Sequence, residues 1–417
     1  MIIGAEVNRQ MLAGAAASMR LLFVSLTPPF PPTNGHRMRN LILLRALAGE
    51  GHRVSLVSFA DPGETGSAKQ SLEEICHDVT LVAPRGDGRA RDGRYWSRLC
   101  ALKSPRPYGV WRFASRALAD IVSARLARGD LDAVICDGIY LVQNIAHPAD
   151  VPVILSEQAI SHEALARYLK YESNPLKRAY GLIEYRKTRR WELNACSTAS
   201  GVIACSRRER DLLRRMCPGA RVAVVPNCVD TESYQPVEDD DGTTVLFIGA
   251  MDWLPNRDAL DFLRLRILPQ LLALAPAATL VVAGRNPSSH LRRRFTGIPG
   301  LRFAGVVEDT RPLLARAAAF VAPLRIGSGT RIKILEAAAM AKAIVSTTLG
   351  AEGLELSNGN EILLADEPQR FARAVADLLL DPGRRRALGR AARRRVAENY
   401  SLLVLRHALR GAFTELC

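Results

Sequence analysis

The sequence predicts an α/β protein of two successive units, each a mostly parallel sheet with helices on both faces, with a cleft between them. Three observations carry this. Short apolar runs alternate with amphipathic segments from Met19 onward. The alternation breaks at a polar, acidic stretch, residues 231–242, and then restarts. A length of 417 residues suits two or three domains. Apolar residues make up 48% and charged residues 24%, which excludes a disordered chain, a collagen-like fibre and a polytopic membrane protein.

Residues 1–18 read as a non-essential extension. The run Met11-Leu12-Ala13-Gly14-Ala15-Ala16-Ala17 is too weakly apolar for a secretion signal, and Glu6 and Arg9 precede it. A buried strand follows at 20–26. Met38, Leu41, Leu44 and Leu47 recur at three-residue steps and predict a helix over 36–50, with Gly51 as its stop. Further strands are expected at 53–59, 79–83, 133–137, 152–156, 201–205 and 222–225, completing a first unit over 19–230. Residues 231–242 form a linker, ending in the acidic run Glu238-Asp239-Asp240-Asp241-Gly242. The second unit, 243–399, has expected strands at 244–248, 279–283, 301–304, 319–322 and 343–346. Its expected helices are 256–273, 288–295, 310–317 and 333–340. The last 50 residues read as helices, and the arginine-rich stretch 383–399 reads as a solvated face.

None of the eight cysteines forms a C-x-x-C pair. Cys136 and Cys205 lie in apolar runs, so free buried thiols in a reducing compartment are expected. No run of 18 apolar residues exists, and no membrane-spanning helix is expected. Lys plus Arg number 57 against 42 Asp plus Glu, a net charge of +15 that suggests an anionic partner. No helix-turn-helix, zinc or RNA-binding signature points to nucleic acid.

Three segments carry chemistry. The turn after the first strand, Thr27-Pro28-Pro29-Phe30-Pro31-Pro32-Thr33-Asn34-Gly35-His36, is stiffened by prolines. Its glycine stands where a helix begins, allowing close approach of a ligand to backbone N–H groups. Gly249-Ala250-Met251-Asp252-Trp253-Leu254-Pro255-Asn256 follows the first strand of the second unit. Asn256 is expected as a helix N-cap, and Trp253 packs either on a ligand ring or on protein. The third segment runs from Leu324 to Ala337. Gly327, Ser328, Gly329 and Thr330 are expected to leave N–H groups free at a helix opening near Thr330, with Arg331 and Lys333 adding charge; this binds phosphate without a metal. Glu336, one turn on, suits a ribose diol. The segment is not a Walker A loop, and it lacks the third glycine of a dinucleotide fingerprint.

With these blocks in order, the chain resembles the glycosyltransferases of the GT-B fold, family 4, over roughly residues 19–401. The residues that carry the resemblance are the proline-rich loop ending in Gly35, Gly51-His52-Arg53-Val54, Val225-Pro226-Asn227-Cys228-Val229-Asp230, Gly249, and Gly329-Thr330-Arg331-Ile332-Lys333-Ile334-Leu335-Glu336-Ala337. The Met-Asp-x-x-Pro-Asn and Gly-Ser-Gly-Thr-Arg forms are similar to a subgroup associated with bacterial exopolysaccharide assembly. The resemblance implies two Rossmann-like domains facing a cleft, with a helix at about 400–417 returning to the first. It implies retaining transfer from a nucleotide-diphosphate sugar, bound mainly by the second domain, to a saccharide or lipid-linked acceptor on the first.

By this resemblance Glu336 holds the donor ribose, Gly35 contacts the donor diphosphate or sugar, and Arg331 and Lys333 lie near the pyrophosphate. Gly249, Trp253, Arg285, Gly327, Ser328, Gly329 and Thr330 fall on the donor side. Asn34, His36 and Gln158 fall on the acceptor or sugar side. The chain departs from the family's pattern in places. Ser328 stands where the first of the family's paired glutamates belongs. Only Arg257 lies in the loop where many members carry an Arg and a Lys, so Arg285, Arg331 or Lys333 is left to supply that charge. Gln158 stands in a stretch, Ser156-Glu157-Gln158-Ala159, where many members carry His-Asn, and His162 reads as a core or surface histidine.

Leaving-group charge is then stabilised by a helix N-terminus, Arg331 and Lys333, with no metal and no cofactor. The acidic run at 238–241 reads as a tether. Two stretches that mix arginine with aromatic residues suit an anionic membrane surface. One, 85–116, includes Arg89, Arg91, Arg94, Tyr95 and Trp96; the other is 168–191. The expected location is the cytoplasm, peripheral at the inner face of its membrane. The competing readings are a non-catalytic donor-binding subunit, supported by Ser328, and a sugar-nucleotide epimerase, which needs further acids and bases.

Overall fold

The computed structural model describes residues 18–417 except 62, 64, 84–97, 99–100, 147–149, 238–239, 286–292 and 296. The extension over 1–17, Cys100, the basic residues Arg89 to Trp96, the start of the acidic run and most of the helix expected at 288–295 lie outside the described residues.

Seven parallel strands build the first sheet, in the order β3-β2-β1-β4-β5-β6-β7. They are β1 Arg20–Ser25, β2 Arg53–Phe59, β3 Asp78–Val82, β4 Ala133–Asp137, β5 Val153–Glu157, β6 Gly201–Ala204 and β7 Val222–Val224. Six parallel strands build the second, in the order β10-β9-β8-β11-β12-β13. These are β8 Thr244–Ile248, β9 Thr279–Ala283, β10 Leu301–Gly305, β11 Ala319–Ala322, β12 Ala343–Ser346 and β13 Leu363–Leu364. The central strands read as continuous apolar runs because both their faces are covered; β4 and β11 are buried at every position.

In each sheet the strand order reverses once, between β1 and β4 and between β8 and β11. A crevice opens at such a switch point beyond the carboxyl ends of the strands, and ligands bind there.

The helices are α1 Gly35–Gly49, α2 Thr65–Glu73, α3 Tyr108–Arg112, α4 Arg116–Leu126, α5 Ser161–Tyr171, α6 Pro175–Thr198 and α7 Arg207–Met216 in the first half. The second half has α8 Leu254–Phe262, α9 Leu268–Leu274, α10 Arg311–Arg316, α11 Ile332–Ala339, α12 Pro368–Leu380 and α13 Pro382–Asn399. The last helix, α14 Leu402–Leu416, packs back on the first sheet. Its Leu405, Leu409, Phe413 and Leu416 share one core with Leu21, Phe23, Leu44 and Ile203.

Four expectations change. The helix expected over 256–273 is interrupted by a π-helical turn at Leu263–Ile267. Pro269 follows at once; it lacks an N–H and would clash with the carbonyl four residues back in a continuous α-helix. Asn256 is not the N-cap. Trp253 holds that position and Pro255 occupies the first turn, so Asn256 is already helical and buried. The helix expected to open at Thr330 begins at Ile332, with Arg331 as N-cap. Finally, the arginine-rich α13 is more than a solvated face. Arg385 is buried and pairs with Asp240 at 2.5 Å, and Arg393 donates to the carbonyl oxygens of Thr231 (2.8 Å) and Tyr234 (2.5 Å), fastening the linker to the second half.

Cys136 and Cys205 are free buried thiols. No helix among the described residues is long and apolar enough to cross a membrane.

Candidate functional site

On the second half, the chain leaves β8 at Gly249, whose N–H donates to Ala283 O at 3.0 Å. A Cβ on Gly249 would meet the Asn256 amide at 2.6 Å, so only glycine lets that side chain tuck under the strand end. There Asn256 donates to Ala250 O and accepts from Lys333 Nζ, both at 2.9 Å. Lys333 Nζ also donates to Ile248 O at 2.9 Å and lies 4.8 Å from the Phe247 ring centre. An ammonium has three N–H donors, and these contacts use two. Burial, reinforced by the Arg331 charge, pushes the Lys333 amine down to about 7.

Arg331 is buried, and Nη1 donates to the carbonyls of its own loop, Ser328 and Gly329. Nε and Nη2 are buried with no partner, and Nη2 would stand 3.1 Å from a Cβ placed on Gly327. Burial lowers this guanidinium to about 10, so it stays charged at neutral pH. Arg285 Nε is likewise buried and unpartnered. Buried cationic N–H edges without partners are rare in native proteins and fit an anion that is not part of the chain. Glu336 accepts from the Tyr234 hydroxyl at 3.2 Å, and burial raises its carboxyl. Trp253 is 43% exposed, so it is not covered by protein.

The glycine loop is placed differently from the sequence expectation. Gly327, Ser328 and Gly329 are buried at the seam with the first half. Ser328 Oγ donates to Ile160 O at 2.8 Å, and Thr330 Oγ1 accepts from Asn227 at 2.5 Å. Gly329 has φ +80°, and a Cβ there would lie 2.6 Å from Gln158 O. Ser328, Gly329 and Thr330 therefore join the two halves, and the unspent cationic donors come from Arg331, Lys333 and Arg285. Further contacts close the same seam. Arg167 donates to Gly327 O (2.7 Å) and to both oxygens of Glu352 (2.7 and 2.9 Å). Arg208 pairs with Glu352 at 3.0 Å and with Glu163 at 2.7 Å.

On the first half, the switch point holds a buried carboxylate that the sequence reading missed. Asp137 ends β4. Its Oδ2 accepts from Asn40 Nδ2 (2.7 Å), Ser25 Oγ (3.2 Å) and Leu26 N (3.4 Å), and lies 2.9 Å from His36 Nε2 without an aligned hydrogen bond. Oδ1 accepts from Gln158 Nε2 at 3.0 Å, which also donates to Asn40 Oδ1 at 2.7 Å. His36 and Gln158 are thus brought together by Asp137 and Asn40, and the Gln158 nitrogen is engaged inside the protein. Burial alone would raise the Asp137 carboxyl, but His36, Asn40 and Leu26 hold it below its usual value. Burial alone would lower His36, yet the facing Asp137 raises it against Arg37 and Arg39.

Asn34 is the N-cap of α1 and accepts from Arg37 N at 2.8 Å, a structural use of that side chain. A Cβ on Gly35 would stand 3.7 Å from Ile332 Cδ1, so this turn faces the start of α11 across the cleft. A carboxylate closing an otherwise apolar strand, as in Ala133-Val134-Ile135-Cys136-Asp137, was the available signal for Asp137. Among the described residues no group of His, Cys, Asp and Glu is placed to hold a metal ion. A cavity of about 240 Å³ opens elsewhere, where Cys205 to Arg207 meet Glu398 to Tyr400.

Comparison with known proteins gives two family matches: Glycosyltransferase Family 4 over residues 69–233 and Glycosyl transferases group 1 over residues 242–381. A phosphatidyl-myo-inositol mannosyltransferase of Mycolicibacterium smegmatis is 32% identical over 184 residues, 41% of this chain and 47% of that protein, so the match spans about half the relative's length. A glycogen synthase of Mycobacterium tuberculosis is 25% identical over 403 residues, 92% of this chain and 91% of that protein. The crystal structure of Anabaena HepE with UDP and glucose superposes with a TM-score of 0.67 at 15% identity, covering 95% of this chain and 99% of that one. With one family match in each half of a two-sheet architecture, the chain belongs to the GT-B glycosyltransferases of family 4 and is a glycosyltransferase.

Proposed function

We propose that the protein moves a sugar, with retention, from a nucleotide-diphosphate sugar to a saccharide or lipid-linked acceptor in cell-surface polysaccharide synthesis, at the inner face of the cytoplasmic membrane. The observation that carries the donor assignment is the set of unspent cationic donors on Arg331, Lys333 and Arg285, beside Glu336, at the carboxyl ends of β8, β9 and β11. The mannosyltransferase relative is named for a lipid acceptor, and the HepE structure contains UDP and glucose.

Breaking the bond between the anomeric carbon and its phosphate oxygen puts negative charge on the departing diphosphate. Arg331 Nε and Nη2, the third N–H of Lys333 and Arg285 Nε are fixed before that charge appears, so no reorganisation is needed to stabilise it. Glu336, braced by Tyr234, accepts from the ribose hydroxyls. The departing phosphate takes the acceptor's proton, and no protein base is required. Transfer from labelled nucleotide sugars, with the product anomer read by NMR, tests the reaction and its stereochemistry. Inversion at the anomeric carbon refutes retention.

Glu336→Ala is expected to weaken donor binding by about 1–3 kcal/mol, the order for hydrogen bonds to a charged group. Titration calorimetry checks this, and unchanged affinity removes Glu336 from the donor site. His36, at the cleft with its pKa raised by the facing Asp137, gives a second expectation. If its imidazolium contacts donor or acceptor, kcat/KM falls as pH rises through its raised pKa. Asp137→Asn removes the charge that raises it, so burial and the two arginines dominate and this fall moves to lower pH. A pH profile that the substitution leaves in place refutes the role.

A further inference from the structure

Helix α6 turns one face inward and a different kind of face outward. Gly181, Glu184, Thr188, Glu192, Ala195 and Cys196 are buried. At about 100° per residue, the opposite arc carries Leu176, Ala179, Leu182 and Ile183 together with Arg186, Arg189 and Arg190, all exposed. Both carboxylates of the helix point inward. Glu184 accepts from Tyr108 N at 2.7 Å, and Glu192 accepts from Ser161 N at 2.6 Å and His162 N at 3.2 Å. The outward arc is therefore apolar and cationic, with no acid, and none of its three arginines pairs with a carboxylate among the described residues.

Single exposed apolar side chains need no explanation, but a cluster does. Of the eleven large exposed hydrophobic side chains among the described residues, four lie between 171 and 183: Tyr171 (51% exposed), Leu176 (81%), Leu182 (47%) and Ile183 (42%). Lys170 and Lys177 are exposed beside them. Along the helix the apolar side chains come first, from 176 to 183, and the arginines follow, from 186 to 190. The position is informative too. Arg325 of the second half stacks on the Tyr171 ring at 4.9 Å, so the corner between α5 and α6 stands at the mouth of the cleft.

We propose that this face of α6, with Tyr171 and Lys170, docks the protein on an anionic lipid bilayer. Leu176, Leu182 and Ile183 enter the interfacial zone, and the arginines and lysines meet lipid phosphates. A second copy of the chain fits poorly, because packing this face on itself sets arginine against arginine. The surface presents the cleft to a lipid-borne acceptor, and to that extent it rests on the acceptor class proposed above.

Flotation with vesicles of phosphatidylcholine alone, or mixed with phosphatidylglycerol, tests the surface. The intact protein is expected to float with the mixed vesicles, not with the zwitterionic ones, and to be released by salt. The pair Arg186→Glu, Arg190→Glu is expected to lower binding about tenfold or more, and Leu182→Ser with Ile183→Ser to lower it as well. Both pairs should leave the thermal transition and vesicle-free donor turnover unchanged. Absence of binding to anionic vesicles, or wild-type binding by both variants, overturns the proposal. So does a serine variant that changes only self-association in sedimentation velocity. Because donor turnover is read without lipid, a failure of docking is distinguishable from a failure of the transferase reading.

Discussion

Lys333→Met is expected to lower kcat by about 10²–10³-fold, the order for removing one preorganised donor from a developing negative charge. Methionine keeps most of the side chain's length and its packing over Phe247, so the loss reports the ammonium and not the fold. A second readout separates charge from shape. In the empty site burial holds the Lys333 amine near 7, against 10.5 for an ordinary lysine. Between those values the unfolded chain holds a proton that the folded chain has released, so stability rises with pH across that window. Lys333→Met should flatten this rise. An anionic donor restores the amine's affinity for its proton, so binding at pH 8 should take up a proton, measured by calorimetry in buffers of different ionisation enthalpy. Donor binding without that uptake places the diphosphate elsewhere.

Gly329→Ala is expected to act on the seam. The residue has φ +80°, where an alanine is strained, and the new Cβ would stand 2.6 Å from the Gln158 carbonyl oxygen of the other half. Together these cost about 2–4 kcal/mol. That is roughly 30- to 700-fold in the population of the closed arrangement, and kcat/KM should fall with it. Small-angle scattering should show a more open particle while circular dichroism stays the same. Gly359→Ala is the control, because φ +87° imposes a similar backbone strain while nothing lies within 4 Å of the added Cβ. Equal losses in the two variants would mean that closure at this seam is not what activity needs.

The strands were legible because a parallel sheet covered on both faces leaves an apolar run in the chain. Residues 133–137, 244–248 and 319–322 show this directly. The two residues of β13 lie within the short apolar run Ile362-Leu363-Leu364-Ala365 and were missed. At the site, sequence reasoning found the residue types and misjudged some of their uses. The glycines of the Gly-Ser-Gly-Thr loop were visible, but what Gly329 faces is set by Gln158, far away in the chain. Asn256 has the chemistry of a cap, yet Pro255 belongs in a first turn, so the helix starts earlier and the amide reaches Lys333 instead. Asp137 and Asn40 stand 97 positions apart and meet only because β1 and β4 are neighbours.

The return of α14 to the first sheet has a consequence for biosynthesis. Leu405, Leu409, Phe413 and Leu416 complete a core whose other members, such as Leu21 and Phe23, are translated first. The opening half of the polypeptide must therefore wait on the ribosome with an uncovered apolar flank while the entire second sheet is made. That core becomes complete only once residues 402–416 have been made.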